Sequence, residues 1–580
     1  MEHYYSVETN VQYLLALMKA HNIKNVVISP GTTNFTFVGS IQQDPYFNLI
    51  SCVDERSASY MACGIASVTK EPVAISCTGA TASRNYIPAM TEAYYRKLPV
   101  LAITATRNIA EIGQNIDQMI DRSVIQKDIA KKSIYLPLPH SEEDKWGNML
   151  KINDALLELR RHGGGPVHLN ISTEYNKDFS VKKLPDVKAI YRYTYGDSMP
   201  KIPKGGIAIF VGAHKEWEPE LTDAVDEFCE KYNAFVVCSQ QSNYKGKYAV
   251  YANIASEQKN IGYKIPDLLI HIGDVCGSFF IPCNATWRVN PDGEIRDTFR
   301  KIRRVFEMSE LAFFRYYNKK RTECSDLSFY TYYQETYNRL VKKLNDKDLP
   351  FSNVWAAQQL YDKLPKNSRL FMGILNSLRA WNYFKLDDSI LAYSNTGGFG
   401  IDGGVSSMIG ASMVLKNQIC FMITGDLAFF YDMNSIGNRD IGNNIRILLV
   451  NNAIGEEFKH NMTVISKAGF HDEANKYMAA QGHFGNKSRV LVKHYAEDLG
   501  FEYISADNKD DFMRNIDTFV NPEIGDKPIM FEIFTDYQDE TEAIEILQTL
   551  EADVKGTSRE VVKKLLGDKG IQAVKKVLDK

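Results

Sequence analysis

The sequence predicts an α/β protein of three domains, each built on a mostly parallel sheet flanked by helices. Three observations carry this. Short apolar runs of strand character alternate with segments of helical periodicity along most of the chain, the pattern of βαβ units. The runs fall into three sets, separated by polar or helical stretches. The length, 580 residues, exceeds what one hydrophobic core supports.

The first set of strands is expected at 26–29, 49–53, 73–77, 100–105 and 167–171. Between them lie helical segments such as 55–66, where an acidic residue opens the first turn and apolar residues recur at helical spacing. This domain spans 1–185. The stretch 181–206, with its lysines, prolines and Gly-Gly pair, suits an exposed connection. A second set follows at 207–211, 235–238, 268–272 and 305–308, giving a central domain over 200–330. Its Gly212 and Gly273 stand alone, and no GxGxxG fingerprint follows either strand, so no dinucleotide site is assigned there. Residues 309–350, rich in tyrosine and charge, are expected to be helical. The third set reads 370–372, 390–393, 419–424, 445–450, 503–505 and 529–534, within a domain over 350–545. The tail, 546–580, is expected as a lysine-rich amphipathic surface helix.

Charge narrows the function classes. With 68 basic against 71 acidic residues, the formal net charge of -3 gives no electrostatic reason to expect nucleic acid or an anionic membrane as partner. The opening MEHYYSVETN is polar and acidic, unlike a signal peptide, and no apolar run reaches membrane-spanning length. A cytoplasmic protein is expected. The nine cysteines are scattered singly, without zinc-site or disulfide-scaffold spacing, and most are expected as small buried residues.

Three segments carry candidate chemistry. Gly425-Asp426-Leu427 follows one apolar strand, and Asn451-Asn452 ends the next. Magnesium takes an octahedron of oxygens, commonly one or two protein groups completed by phosphate and water. Asp426 offers a carboxylate, Asn452 an amide oxygen and Ile454 a backbone carbonyl, at strand ends where open α/β sheets bind ligands. Each piece taken singly also reads as an ordinary turn. Asp54-Glu55-Arg56 follows the strand at 49–53. Glu55 reads either as a helix-opening acid favoured by the helix dipole or, if set among apolar neighbours, as a carboxyl of raised pKa able to share a proton. The third segment, Asn395-Thr396-Gly397-Gly398-Phe399-Gly400-Ile401-Asp402-Gly403-Gly404, can wrap a cofactor or simply form a tight turn.

Together these pieces resemble the thiamine-diphosphate motif of the pyruvate decarboxylase and acetolactate synthase superfamily, with Leu427 in a known variant of its GDG triplet. The resemblance implies thiamine diphosphate and Mg2+ as cofactors, with the pyrimidine bound by the first domain and the diphosphate and metal by the third. It implies Glu55 as the catalytic glutamate, since it follows the SPGTTN segment by the usual interval. It further implies cofactor contacts from Gly31, Glu55, Thr78, Gly398, Gly400, Gly425, Asp426, Leu427 and Asn452, with Ile401 as the apolar wedge beneath the bent cofactor. Metal ligands are Asp426, Asn452 and the Ile454 carbonyl. Gln114 and Gln118 lie in the region of the superfamily's active-site glutamine, and Gln118 is favoured by its spacing from Arg107. The superfamily's glutamate and metal ligands meet across a subunit boundary, which implies a homodimer or homotetramer. Flavin is not indicated. His471 and His483 are candidates for mobile-loop acid or base groups, or are plain exposed histidines.

Within the superfamily the pieces most resemble the menaquinone-pathway 2-succinyl-5-enolpyruvyl-6-hydroxy-3-cyclohexene-1-carboxylate synthases, which decarboxylate 2-oxoglutarate and add the product to isochorismate. Ser406-Ser407 after GIDG, Tyr431-Asp432-Met433-Asn434 after GDL, Asn376-Ser377-Leu378 and Ala105-Thr106-Arg107 carry it. The departure lies where substrate binds. Those synthases use arginines for their carboxylates at positions where this chain has Thr33 and Thr396, leaving Arg107 and Arg379 as carboxylate partners. Each lost arginine weakens charge-assisted binding by about 1.5 to 3 kcal/mol. The expected function is a 2-oxo-acid-decarboxylating carboligase with a less anionic acceptor. The alternatives are a simple 2-oxo acid decarboxylase, including the phosphonopyruvate type, and a cofactor-binding protein without turnover.

Overall fold

The computed structural model describes residues 4–259, 262–277, 281–458, 464–470, 472–482 and 488–551. His471, His483 and the tail beyond 551 lie outside the described residues. Contacts divide the chain into two compact units. One comprises Met1–Asp197 with Gly293–Arg296 and Ile302–Val305, the other Ser198–Asp292 with Asp297–Lys301 and Phe306–Lys580.

The first unit holds β1 (Asn25–Ile28), β2 (Asn48–Ser51), β3 (Val73–Cys77), β4 (Val100–Thr106), β5 (Lys132–Leu136) and β6 (Val167–Ser172), followed by a three-residue strand, β7 (Tyr191–Tyr193). The first six form one parallel sheet in the order β2-β1-β3-β4-β6-β5. Every residue of β3, β4 and β6 is buried because helices cover both faces, which is why β3 and β4 read as near-continuous apolar runs, while β6 alternates Val167, Leu169 and Ile171 with the buried His168, Asn170 and Ser172. Leu14, Leu17, Ile152 and Leu156, from helices Thr9–Ala20 and Glu142–Glu158, pack on one face. Ala58, Ala62, Ala89 and Met90, from helices Glu55–Thr69 and Ile87–Tyr95, pack on the other. Strand β5 was not anticipated, because its lysine and half-exposed residues give no apolar run.

The second unit carries two sheets. β8 (Ile207–Val211), β9 (Ala234–Val237), β10 (Ala249–Val250), β11 (Leu268–Ile272) and β12 (Thr286–Val289) run in the order β10-β9-β8-β11-β12. The sequence reading lacks β10 and β12, and places at 305–308 a strand that spans Ile302–Phe306, β13. Helices Glu310–Asn318 and Ser328–Asn345 occupy the stretch expected to be helical. β14 (Arg369–Met372), β15 (Leu391–Tyr393), β16 (Cys420–Gly425), β17 (Ile445–Asn451), β18 (Glu502–Ala506) and β19 (Ile529–Phe534) form the last sheet, parallel, in the order β15-β14-β16-β17-β19-β18. Its register, from Cys420↔Ile445 to Gly425↔Val450, sets the carboxyl ends of β16 and β17 side by side. Among the described residues no helix is long and apolar enough to cross a membrane. Six cysteines are buried and Cys324 is exposed.

Candidate active site

In the first unit the candidate groups cluster at the carboxyl ends of β1, β2 and β3. Glu55 is the first residue of helix Glu55–Thr69, and the Asp54 side chain caps that helix by accepting from the Ser57 amide at 3.1 Å. The Glu55 carboxylate is half-buried and accepts from Asn85 Nδ2 at 3.0 Å. Asn85, the last residue of helix Ala80–Asn85, was not anticipated. The loop after β1 is pinned to the end of β3. A Cβ at Gly31 would lie 1.8 Å from Thr78 Cγ2, so the close approach requires glycine. Thr33 is 5% exposed, and its hydroxyl accepts from the Gly79 amide at 3.2 Å. Asn34 donates to the Ser29 carbonyl at 3.1 Å and to Ser76 Oγ at 3.3 Å.

Arg107 turns back on its own loop. It pairs with Glu111 at 3.1 Å and donates to the Asp117 carbonyl at 2.5 Å. Gln118 is exposed at φ 61, and Gln114 is exposed nearby. The structure thus gathers Gly31, Thr33 and Thr78 directly, holds Glu55 through Asn85, and places Arg107 and Gln118 on a separate surface loop.

In the second unit Asp426 opens helix Asp426–Asp432 immediately after β16 and is 2% exposed. Asn452 lies one residue past β17. Its Oδ1 accepts from the Ile454 amide at 3.3 Å, and its Nδ2 donates to Glu456 Oε2 at 3.0 Å. Ala453 between them has φ 63, so the chain turns sharply here. Glu456 is buried and also accepts from Asn376 Nδ2 at 3.4 Å. Burial, and then the neighbouring carboxylates of Glu540, Glu457 and Asp426, hold its carboxyl well above the usual range. Glu532, 1% exposed, accepts from Asn451 Nδ2 at 2.7 Å and from the Tyr503 hydroxyl at 2.8 Å, and burial pushes its pKa up, with Asp426 adding to the rise. Asp426 therefore sits in a buried, acid-rich surround that a cation would relieve.

Among the described residues no group of three or more histidine, cysteine, aspartate or glutamate side chains could hold a metal. A cation at Asp426 would need oxygens from elsewhere, which an amide, a backbone carbonyl and a diphosphate would supply.

The glycine-rich loop borders this region. Asn395 ties its ends together, donating to the Gly403 carbonyl at 3.0 Å and to Ser407 Oγ at 2.9 Å. Gly400, Ile401 and Gly404 line a small cleft with Gly373, Thr424 and Ala428, the last on the helix that Asp426 opens. A Cβ at Gly398 or Gly425 would meet nothing within 4 Å, so open space faces both. Leu427 reaches Gly455: a Cβ there would lie 3.4 Å from it. The Ser406 amide donates to Asp432 at 2.6 Å, which ties the helix of residues 404–414 to the Tyr431-Asp432 segment.

Neither arginine set aside for substrate stands free of protein carboxylates. Arg379 pairs with Glu457 at 2.5 Å, as Arg107 does with Glu111. Thr396, 3% exposed, donates to the Val275 carbonyl at 2.9 Å and accepts from Gln241 Nε2 at 3.2 Å. Sequence reasoning missed Asn85, Glu456, Glu457 and Glu532. The doublet Glu456-Glu457 just after the asparagine pair was the available signal.

Residues 8–125 match the family described as thiamine pyrophosphate enzyme, N-terminal TPP binding domain. With the three parallel sheets, this makes the protein a thiamine-diphosphate-dependent enzyme. Over 557 residues the chain is 30% identical to a 2-succinyl-5-enolpyruvyl-6-hydroxy-3-cyclohexene-1-carboxylate synthase of Bacteroides fragilis, covering 92% of this chain and 97% of that one. Proteins of the same name from Phocaeicola vulgatus and Flavobacterium johnsoniae are 29% and 27% identical, over 93% and 90% of this chain and 97% and 95% of theirs. The chain belongs to the family of these synthases.

Proposed function

We propose that this enzyme decarboxylates a 2-oxo acid and joins the remaining carbon unit to an acceptor less anionic than that of the synthases it resembles. The observation that carries the proposal is the placement of the buried Asp426 and of Asn452 just past the ends of adjacent parallel strands. Glu456 takes the Nδ2 of the Asn452 amide, and the Oδ1, which accepts from the Ile454 amide, has a second lone pair for a cation. Asp426, Asn452 and the Ile454 carbonyl would hold Mg2+ and, through it, the diphosphate. Gly398, Gly400, Gly425 and Leu427 would bound the cofactor, with Ile401 as its wedge. Thiamine diphosphate, when bound, supplies a carbon that attacks the 2-oxo group and accepts the electron pair left by carbon dioxide.

The chain's own share is to orient and to move protons. Glu55 would hold a proton at its carboxylate for the aminopyrimidine of the cofactor, and Asn85 fixes the rotamer by donating to one oxygen. Gly31 and Thr78 would shape the pyrimidine's bed. Gln118, exposed on the loop after β4, would hold bound substrate.

The acceptor reading is supported by four side chains. Thr33 and Thr396 are buried with their hydroxyls bonded to protein, and Arg107 and Arg379 are each tied to a glutamate. A polyanionic acceptor would have to displace both glutamates. The same observation favours a second reading, simple decarboxylation with protonation in place of ligation.

A homodimer in the cytoplasm is the proposed assembly and place. It is supported by the apolar surface of the first unit, where Leu49, Ile50, Val53, Tyr60 and Met61 are 37 to 78% exposed. The proposed domains span 1–185, 200–330 and 350–545.

The test is calorimetric titration of thiamine diphosphate into metal-free protein with and without magnesium, beside Asp426→Ala. Carbon dioxide release from a panel of 2-oxo acids, with and without aldehyde acceptors, is followed in the same samples. Magnesium-dependent binding lost in the variant supports the metal assignment. A ligated product separates the first reading from the second. A wild-type-like rate of the synthase reaction with 2-oxoglutarate and isochorismate would refute the altered acceptor.

A further inference from the structure

We propose that the first unit contains a site for a small monovalent anion, of the size and charge of chloride, bound by the Arg122 guanidinium in a cavity between the helices at 80–95 and the sheet. Arg122 is 6% exposed. Its Nη1 donates to Ser83 Oγ at 3.2 Å, and its Nη2 donates to Asn170 Oδ1 at 2.9 Å and the Ala105 carbonyl at 3.4 Å. These acceptors are neutral. Among the described residues its buried Nε–H has no acceptor, and no carboxylate pairs with the group.

Burial lowers the Arg122 pKa only to about 10, so the group stays charged at neutral pH. The charged neighbour that lines the same cavity, Arg84, is of like sign. His168 cannot compensate. Its two ring nitrogens are bonded to Thr104 and Ser133, each at 2.8 Å, and burial keeps it neutral. A buried cation without a counter-charge is strongly unfavourable.

The cavity beside it measures about 30 Å³, room for one small ion or a pair of waters. Its other walls include Ile87, Met90 and Ile129. A small cavity lined by two arginines, Arg122 and Arg84, with apolar side chains between them suits a singly charged, weakly hydrated ion, whereas a phosphate is too large for it and would need several more donors.

The experiment uses the full chain, exchanged into sodium gluconate, whose anion is too large to enter. Chloride or bromide then replaces gluconate at constant ionic strength while thermal unfolding is followed. The expected result is a saturable rise in Tm of about 2 to 4 °C in the wild type, absent in Arg122→Met. Crystals of the wild type soaked in bromide give a second readout, independent of whether the variant folds: an anomalous peak within reach of Arg122. Formate replaces bromide in a further arm, and binding there extends the site to carboxylates. Equal melting in chloride and gluconate, with no peak in the cavity, overturns the proposal and leaves the space to water.

Discussion

Replacing Glu456 by alanine should loosen the metal site without touching a proposed metal ligand. The carboxyl accepts one well-formed hydrogen bond from Asn452 Nδ2, at 3.0 Å, and one long one from Asn376, at 3.4 Å. Burial and its acidic neighbours raise the Glu456 pKa well above the usual range, and alanine removes the acceptor that orients the Asn452 amide. The Asn452 amide would then lose the acceptor that fixes its Nδ2, leaving the longer bond from the Ile454 amide to its Oδ1 to oppose a flip that presents Nδ2 where Oδ1 is needed. Losing a partner that orients a metal ligand costs about 10- to 100-fold in affinity, or about 1.4 to 2.8 kcal/mol. Titration of magnesium at saturating thiamine diphosphate reads this directly. Glu456→Gln keeps an acceptor oxygen and should retain most of the affinity. An alanine variant that binds magnesium like wild type, or a glutamine variant as weak as the alanine one, would refute the reasoning.

Further outcomes follow from the same geometry. Gly31→Ala should destabilise the first unit by about 1 to 3 kcal/mol, because the new methyl meets Thr78 Cγ2. Thr78→Ser, which lacks that methyl, should recover much of the loss in a double-mutant cycle by urea unfolding. Buried Glu540, accepting from the Asn353 amide and Thr535, has its pKa raised by burial from 4.5 to about 7. The folded state therefore binds the extra proton, so stability falls as pH rises from 4.5 to about 7 and is level above. Glu540→Gln should flatten that slope in denaturant titrations. His168 shows the opposite case: burial lowers it from 6.5 to about 3, so its contribution is present above pH 6.5 and lost as pH falls toward 3. Its ring resonances in NMR should stay those of neutral imidazole at pH 5, and a protonated ring there would contradict the burial described.

The sequence by itself determined the fold class and the cofactor, because both are written in contiguous pieces. Strands buried on both faces are rich in apolar residues, so β3, β4, β16 and β17 were legible as runs, although β17 carries the buried Arg446, and β6 was legible through Val167, Leu169 and Ile171. Strands β5 and β12 were not: β5 opens on Lys132 and is mostly half-exposed, and β12 is only four residues long with Arg288 inside it. The motif pairs Gly425-Asp426 and Asn451-Asn452 could be recognised because each is local and the parallel register aligns their strand ends.

What only the tertiary structure decided is how the remaining side chains are occupied. No spacing rule connects Asn85 to Glu55, Glu457 to Arg379, or Gln241 to Thr396; packing of separate elements brings each pair together. An arginine in a sequence reads as an available cation, and a threonine as a missing one. Only the fold shows that Arg107 and Arg379 are already tied to glutamates while Arg122 is buried among neutral acceptors with no carboxylate partner among the described residues, because pairing depends on which groups burial leaves no water to solvate.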